Sequence, residues 1–349
     1  MAFIRGIGVV TAAGPGLEDF RRALGSGEAP SRPEGFMVDL KKADKSDLKN
    51  LRRADKLSKL SVLAAKGALR DASSAFEGEG VEAGVILCTA LGPHPTTFRF
   101  LDDIIQYGDG AVSPTTFSNS VHNAAASYIA AECGIKGPTL TVTQFFHSFH
   151  EGLALALSWL REARVPRVLL GAVDVHGEVL EYAASRMLGL SGEGVLRPLV
   201  FNAAKGQAKH LPGEGAAFFL LESSPEGAYC GIGVETGFSV APSSAEGSLL
   251  LLDSDGLIKD ETAYLGLIPE GGVVSSYAHC YGSIMTGSAF NAAAGAIMLK
   301  EGRIFPALWP EVNPHGLRVA GSDGQPPRQI EVLRMNCTGR RGLIRLSSL

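Results

Sequence analysis

The densest group of side chains able to do chemistry lies between Gln144 and Glu151, where Phe145, Phe146, His147, Ser148, Phe149 and His150 follow one another. A serine flanked by two imidazoles has the composition of a nucleophile and base pair, with His147 or His150 drawing the proton from Ser148. No G-x-S-x-G turn surrounds Ser148, however, so nothing in the local pattern lifts its hydroxyl onto an exposed elbow. A hydrogen-bonded structural role for His147 and His150 is therefore preferred over chemistry. Their spacing of three also places both rings on one helical face, but two imidazoles without thiolate or carboxylate company do not make a metal site. His279 and Cys280 are adjacent, and on a strand they would point to opposite faces. The glycines of GPGLEDF and GEGAA have neither Walker nor dinucleotide spacing, so no nucleotide site and no cofactor are expected.

Composition narrows the class. The chain has 349 residues, 45% of them hydrophobic, which is enough for a large core and two domains or one duplicated domain. Acidic residues number 36 against 32 basic ones, giving a net charge of -4, so there is no electrostatic footprint for nucleic acid. Cys88, Cys133, Cys230, Cys280 and Cys337 are odd in number, widely spaced and without a CxxC pair, the usage of reduced thiols in a cytoplasmic protein. No uninterrupted apolar run reaches membrane-spanning length, and MAFIRGIGVV reads as a first strand instead of a signal peptide.

The elements alternate between strand and helix. Strands are expected at 4–10, 84–89, 140–146, 167–173 and 218–222, and helices at 17–24, 57–72, 123–133 and 151–162. A weak internal echo follows. RGIGVVTAAG near the N-terminus resembles CGIGVETGFS at 230–239, and VVSSYAHCYGSIMTGSAFNAAAGAIML repeats the strand, loop and helix of TLTVTQFFHSFHEGLALAL. The reading is a duplicated α/β unit with a largely parallel sheet, divided near 223–229 into halves 1–225 and 226–349. Stretches 241–248 and 312–328 are loop-like.

Four segments, in order, resemble β-ketoacyl synthases: IRGIGVVTAAGPGLEDFRRAL, RRADKLSKLSVLAAKGALRDA, VSPTTFSNSVHNAAASYIAAECGIKGP and LPGEGAAFFLLE. GPTLTVTQFFHSFHEGL resembles the strand, turn and helix that carry that family's catalytic cysteine. The resemblance implies the thiolase fold, two βαβαβαββ halves in a five-layered α/β/α/β/α arrangement. It also implies four catalytic departures. Phe146 stands in the cysteine position, where a helix N-terminus would lower a thiol pKa. Ser288 takes the second histidine's position and Ser283 that of the preceding lysine. The first histidine's motif is missing from LDSDG at 252–256, and the glycine-rich gating loop reads NCTGRRG at 336–342.

The subgroup implied is the chain-length factors, which do not condense but pair with an active ketosynthase in type II polyketide, polyene or fatty-acid-like systems. Partners implied are that ketosynthase, as a heterodimer, and an acyl carrier protein reached mainly through it. Arg52, Arg53 and Lys56 are a possible attraction for an acidic carrier, although a solvated helix face is preferred. Phe117, Phe145, Phe146 and Phe149, with His122 and Gln144, are candidates to wall an acyl tunnel or interface, against the alternative that the rings are core packing. Ser118 or Ser120 is expected to cap the helix after His122, and Glu214 to hold a turn. Two other readings stay open: an acyltransferase or hydrolase with altered chemistry, and a stand-alone acyl or carrier-protein binding homodimer.

Overall fold

The computed structural model describes residues 2–28, 30–72, 82–201, 209–243, 247–308, 313, 315–321 and 324–349. Parts of the loop-like stretches 241–248 and 312–328 lie outside them. The first half runs β1 (Ala2–Val10), α1 (Leu17–Ser26), α2 (Lys56–Asp71), β2 (Gly84–Thr89), α3 (His94–Tyr107), α4 (Pro114–Asn119), α5 (Ala124–Glu132), β3 (Thr139–Thr143), α6 (Ser148–Arg161), β4 (Arg167–Asp174), α7 (Glu178–Leu188) and β5 (Gly215–Glu222). The second runs β6 (Gly231–Gly237), β7 (Ser248–Leu252), β8 (Val273–Ser275), α8 (Gly287–Glu301), β9 (Arg318–Val319), β10 (Gln329–Met335) and β11 (Arg341–Ser347).

The duplication is visible in strand order. The first half-sheet reads β3-β2-β4-β5-β1 and the second β8-β7-β10-β11-β6, with β9 added outside β8. Pairing repeats as well. β2 is parallel to β3 and β4 while β5 is antiparallel to β4 and β1; β7 is parallel to β8 and β10 while β11 is antiparallel to β10 and β6. The halves join where β1 meets β6, at Ala2↔Ile232 and Phe3↔Gly231.

Two helices fill the space between the half-sheets. α6 touches β2, β3 and β4 on one side and β6 and β11 on the other, and α8 touches β10 and β11 as well as β1 and β5. The sequence of α8, GSAFNAAAGAIMLKE, is apolar on all sides, which suits a helix covered from both faces. Outside the first half-sheet, α2 lies against β1 so closely that glycine is required. A Cβ on Gly8 would stand 2.0 Å from the Ala64 carbonyl oxygen, and one on Gly6 2.2 Å from that of Ala68. The outer layer of the second half is thin: the 3-10 segment Glu261–Leu267 and residues Leu199 and Phe201 cover Leu250, Leu252, Leu333 and Leu343. These layers complete the five of the thiolase fold.

Some boundaries move. The strand expected to reach Phe146 stops at Thr143, and the helix expected from Glu151 begins at Ser148. The cause is local: the Gln144 side-chain oxygen accepts the His147 N–H at 2.8 Å and turns the chain one residue before the helix. Three helices, α3, α4 and α7, were not expected from the pattern. α7 has no buried residue, although its Leu180, Ala184 and Met187 recur at helical spacing.

Candidate functional site

Phe146 lies on the turn between β3 and α6, half-buried, with its ring over a guanidinium: Arg334 Cζ is 5.2 Å from the ring centroid. Arg334 projects from β10 and is fully buried. Its Nη1 donates to Asp255 Oδ2 at 2.9 Å and lies 3.5 Å from Asp253 Oδ2. Both aspartates stand just beyond the end of β7, inside the LDSDG segment. Burial pushes the Asp255 carboxyl up to about 6 even against the pull of Arg334, and moves Asp253 in the same direction. Burial works against the Arg334 charge too, yet the two carboxylates hold its pKa above the ordinary range.

The serines at the expected histidine and lysine positions belong to this cluster. Ser288, in the first turn of α8, donates to Asp253 Oδ2, while Asn291 Nδ2 donates to Asp253 Oδ1 at 2.6 Å. Ser283 donates to the Asp255 carbonyl oxygen and accepts the Leu211 N–H at 2.9 Å. Glu261 accepts from Ser254 Oγ at 3.1 Å and from the Gly256 N–H at 2.9 Å; burial, then Asp255, pushes it up to about 8. The Tyr264 hydroxyl donates to the Asp253 carbonyl oxygen and accepts the Met335 N–H. The carboxylates and hydroxyls are hydrogen-bonded within the cluster, while Arg334 Nε and Nη2 find no partner among the described residues, and the cluster holds the chain ends of β7, β10 and α8 together. Arg334, Asp253, Asp255, Asn291 and Glu261 were not singled out from the sequence. The available signal was an arginine inside the apolar run IEVLRM and a D-x-D pair after LLLL.

His147, Ser148 and His150 are buried at the N-terminus of α6, the two rings edge to face with centroids 5.3 Å apart. Ser148 Oγ, His147 Nε2 and both nitrogens of His150 have no hydrogen-bond partner, so the serine–histidine pair of a nucleophile does not form. Burial, then Arg334 and Arg340, pushes His147 down to about 4, and burial, then His147, takes His150 well below its ordinary value. Both are neutral and buried, and the backbone of Arg334 beside His147 and of Gly342 beside His150 favours the charged rings without outweighing burial. A Cβ on Gly342 would stand 2.4 Å from the His150 ring, so the NCTGRRG loop is built around it.

The remaining candidates scatter. Phe149 is in the central core, 5.5 Å from Phe219, and does not reach the surface. Phe145 and Phe117 are 60% and 56% exposed, Phe117 packing on Phe100. His122 is exposed beside Gly92, and Ser118 and Ser120 donate to carbonyls of their own turn instead of capping α5. His279 and Cys280 sit on a buried 3-10 turn, not a strand. Glu214 does hold a turn: it accepts from Val38 N–H at 2.6 Å and His176 N–H at 3.1 Å. It also pairs with Lys56, whose side chain still reaches solvent as expected for it with Arg52 and Arg53.

A cavity of about 430 Å3 opens beside this cluster. Phe145, Phe146 and Ser283 line it together with Leu180, Ala184 and Met187 of α7, Leu257, Ile284 and Cys337. Its polar lining includes His94, Asp174, His176 and His210. Among the described residues no cluster has the makings of a metal site, and no helix is long and apolar enough to cross a membrane.

Two repeated half-sheets closed around a buried helix pair define a thiolase-fold protein, and the solved structures most like it are ketosynthases. The ishigamide ketosynthase/chain length factor superposes with a TM-score of 0.79 at 19% identity, covering 100% of this chain and 99% of that one. A β-ketoacyl synthase from Burkholderia phymatum STM815 gives 0.78 at 17% identity over the same shares. Residues 16–226 match the family model "Beta-ketoacyl synthase, N-terminal domain", and the chain belongs to the β-ketoacyl synthase family. Among curated proteins, Nodulation protein E of Rhizobium meliloti (strain 1021) is 28% identical over 178 residues, 51% of this chain and 43% of that protein. The chloroplastic 3-oxoacyl-[acyl-carrier-protein] synthase I of Arabidopsis thaliana is 23% identical over 247 residues, 63% of this chain and 50% of that protein. The matches thus span half or less of these relatives.

Proposed function

We propose that this chain is a non-condensing member of the family that works as a chain-length factor, pairing with an active ketosynthase and shaping the tunnel that receives its acyl chain. The observation that carries the reading is Phe146 packed over the Arg334 pair with Asp253 and Asp255. Where the resemblance calls for a thiol and two histidines, this chain has a phenyl ring and a buried arginine–aspartate cluster that includes Ser288 and Ser283. A site of this kind neither attacks a thioester nor takes up its proton.

A partner is favoured by the surface next to the Phe146 turn. β3 is the outermost strand of its half-sheet, and among the described residues it pairs only with β2, leaving its other edge without a partner. Leu140 on that strand, Phe145 after it, and Phe117 and Val121 near α5 are all exposed apolar groups. Single exposed hydrophobics are ordinary, but a group of them beside an open edge marks an interaction surface. In the reading offered here a ketosynthase covers this face, Phe145 and Phe146 lie beside the acyl chain, and an acyl carrier protein is served through that partner in a polyketide or fatty-acid-like pathway.

Co-expression with a Cys-His-His ketosynthase, followed by size-exclusion chromatography and mass determination, tests the proposal. The expected result is a stable heterodimer whose product length changes with Phe145 or Phe146. Condensation of acyl thioesters by the purified chain alone, or a failure to assemble with any candidate synthase, overturns it.

A further inference from the structure

One wall of the cavity is fastened at a single polar contact. Leu180, Ala184 and Met187 turn α7 toward the cavity, yet no residue of that helix is buried. Among the described residues, Glu181 is the α7 side chain that hydrogen-bonds outside the helix, its Oε1 meeting Nε2 of His210 at 2.8 Å. The other ring nitrogen, Nδ1, meets the carbonyl oxygen of Gly189, the residue that ends α7, at 2.9 Å. His210 is 1% exposed, so water has little access to either contact.

Both partners of the ring are acceptors. A carbonyl oxygen has no proton to give and neither has a carboxylate, so a neutral imidazole, with one N–H and one lone pair, satisfies only one of the two contacts. The imidazolium donates from both nitrogens and satisfies both. When its extra proton leaves, a ring lone pair faces an oxygen lone pair at 2.8 or 2.9 Å, and an unmet polar group in such a place is costly. The backbone beside the ring does not titrate: His210 N–H donates to the Gly189 carbonyl at 3.2 Å and Ser191 N–H to the His210 carbonyl at 3.1 Å, so the chain after α7 stays paired in either state. The body of the helix depends on Glu181, and Gly189, with φ at 78°, supplies a pivot that a residue with a Cβ would resist.

We propose that His210 and Glu181 form a proton-held latch: with the proton bound, α7 is fixed as a wall of the cavity, and with the proton lost, the helix swings away and the cavity opens. The stability of the closed wall is present at low pH and lost as pH rises. The latch belongs to this chain alone, so it stands or falls apart from the pairing proposed above. The other ionisable groups around the ring can be told apart from it. His94 is pushed down to about 4, and Asp174 and Asp255 are pushed up to about 6, burial being the main cause for each, so these three change charge at acid pH. His176, Lys259 and Cys337 line the cavity, and Lys209 and Glu193 flank the ring along the chain; all of them remain when Glu181 alone is replaced.

Hydrogen–deuterium exchange of the full chain tests the latch, read by mass spectrometry on peptides spanning 178–188 and corrected for the intrinsic pH dependence of exchange. From about pH 5.5 to about pH 9.5 the protection of α7 should hold and then fall about tenfold per pH unit, the slope of a one-proton release, while α6 and β4 keep theirs. The carboxamide of E181Q both donates and accepts, so it satisfies the neutral and the charged ring alike, and protection of α7 should stay high and flat over the whole range. E181A should exchange fast in α7 at every pH, and unchanged protection of β4 shows that both variants fold. Protection of wild-type α7 that does not vary with pH, an equal pH dependence in E181Q, wild-type protection in E181A, or a loss shared by α6 and β4 overturns the proposal.

Discussion

Phe146 and Arg334 lie 188 positions apart in sequence, yet the guanidinium carbon of one stands 5.2 Å from the ring centroid of the other. The ring shields a buried cation that already belongs to Asp253 and Asp255. Restoring a thiol at this position therefore places it beside a spoken-for arginine and two buried neutral histidines. F146C should gain no condensing activity, measured with radiolabelled malonyl and acyl thioesters on the purified chain. Recovered condensation would show that acid–base groups have been overlooked.

Removing the cation should be severe. R334L leaves Asp253 and Asp255 buried without a counter-charge, and unfolding in urea at pH 8 should show a loss of about 3–5 kcal/mol. The deficit should shrink as pH falls, since protonation then relieves both carboxyls, which burial raises and which lose the opposing pull of Arg334 in the variant. A loss that does not vary with pH would assign the destabilisation to packing alone.

Stability should peak between its two titrating limbs. Glu261 is raised in the folded chain to about 8 from an ordinary 4.5, so the stability it lends is lost as pH climbs toward 8. His94, His147 and His279 are lowered to about 4 from 6.5, so their contribution is present above 6.5 and lost as pH falls toward 4. Burial is the main cause for all four groups. Between pH 6.5 and 8 the slope should be negative, up to ~1.4 kcal/mol per unit, and E261Q should flatten it. A wild-type curve that rises over this window contradicts the assignment.

Glu214 should matter for stability without touching chemistry. It is buried, accepts two backbone N–H groups and pairs with Lys56. E214A should lower unfolding free energy by about 2–4 kcal/mol, because two donors and an ammonium lose their acceptor. Calorimetry checks this directly, and a loss below about 1 kcal/mol would mean that water replaces the carboxylate.

The open edge offers a separate measurement. L140R combined with F145D places charge on the exposed apolar group beside β3 and should weaken assembly with a ketosynthase by tenfold or more, leaving thermal unfolding of the isolated chain unchanged. Equal assembly by analytical ultracentrifugation would move the partner's contact elsewhere.

Much of the fold was legible in the chain because its signals are local. GVILCT and RVLLGAV are continuous apolar runs that only a sheet covered on both faces accommodates. The echo of β1 in β6 forecast the repeated strand order. α7 was overlooked although Leu180, Ala184 and Met187 recur at helical spacing, and the sequence position of Phe149 did not say that its ring packs in the core.

The site divided along the same line. Residue identity alone established that Phe146 is no nucleophile, because that fact concerns which atoms are present. What stands in for the lost groups was decided by the tertiary structure. Asp253 and Asp255 from β7, Ser283, Ser288 and Asn291 around α8, and Arg334 from β10 are separated by up to 81 positions, and only the parallel register of β7 with β10 brings them together. A buried charge network depends on through-space distance and desolvation, and neither quantity is written in the order of residues along a chain.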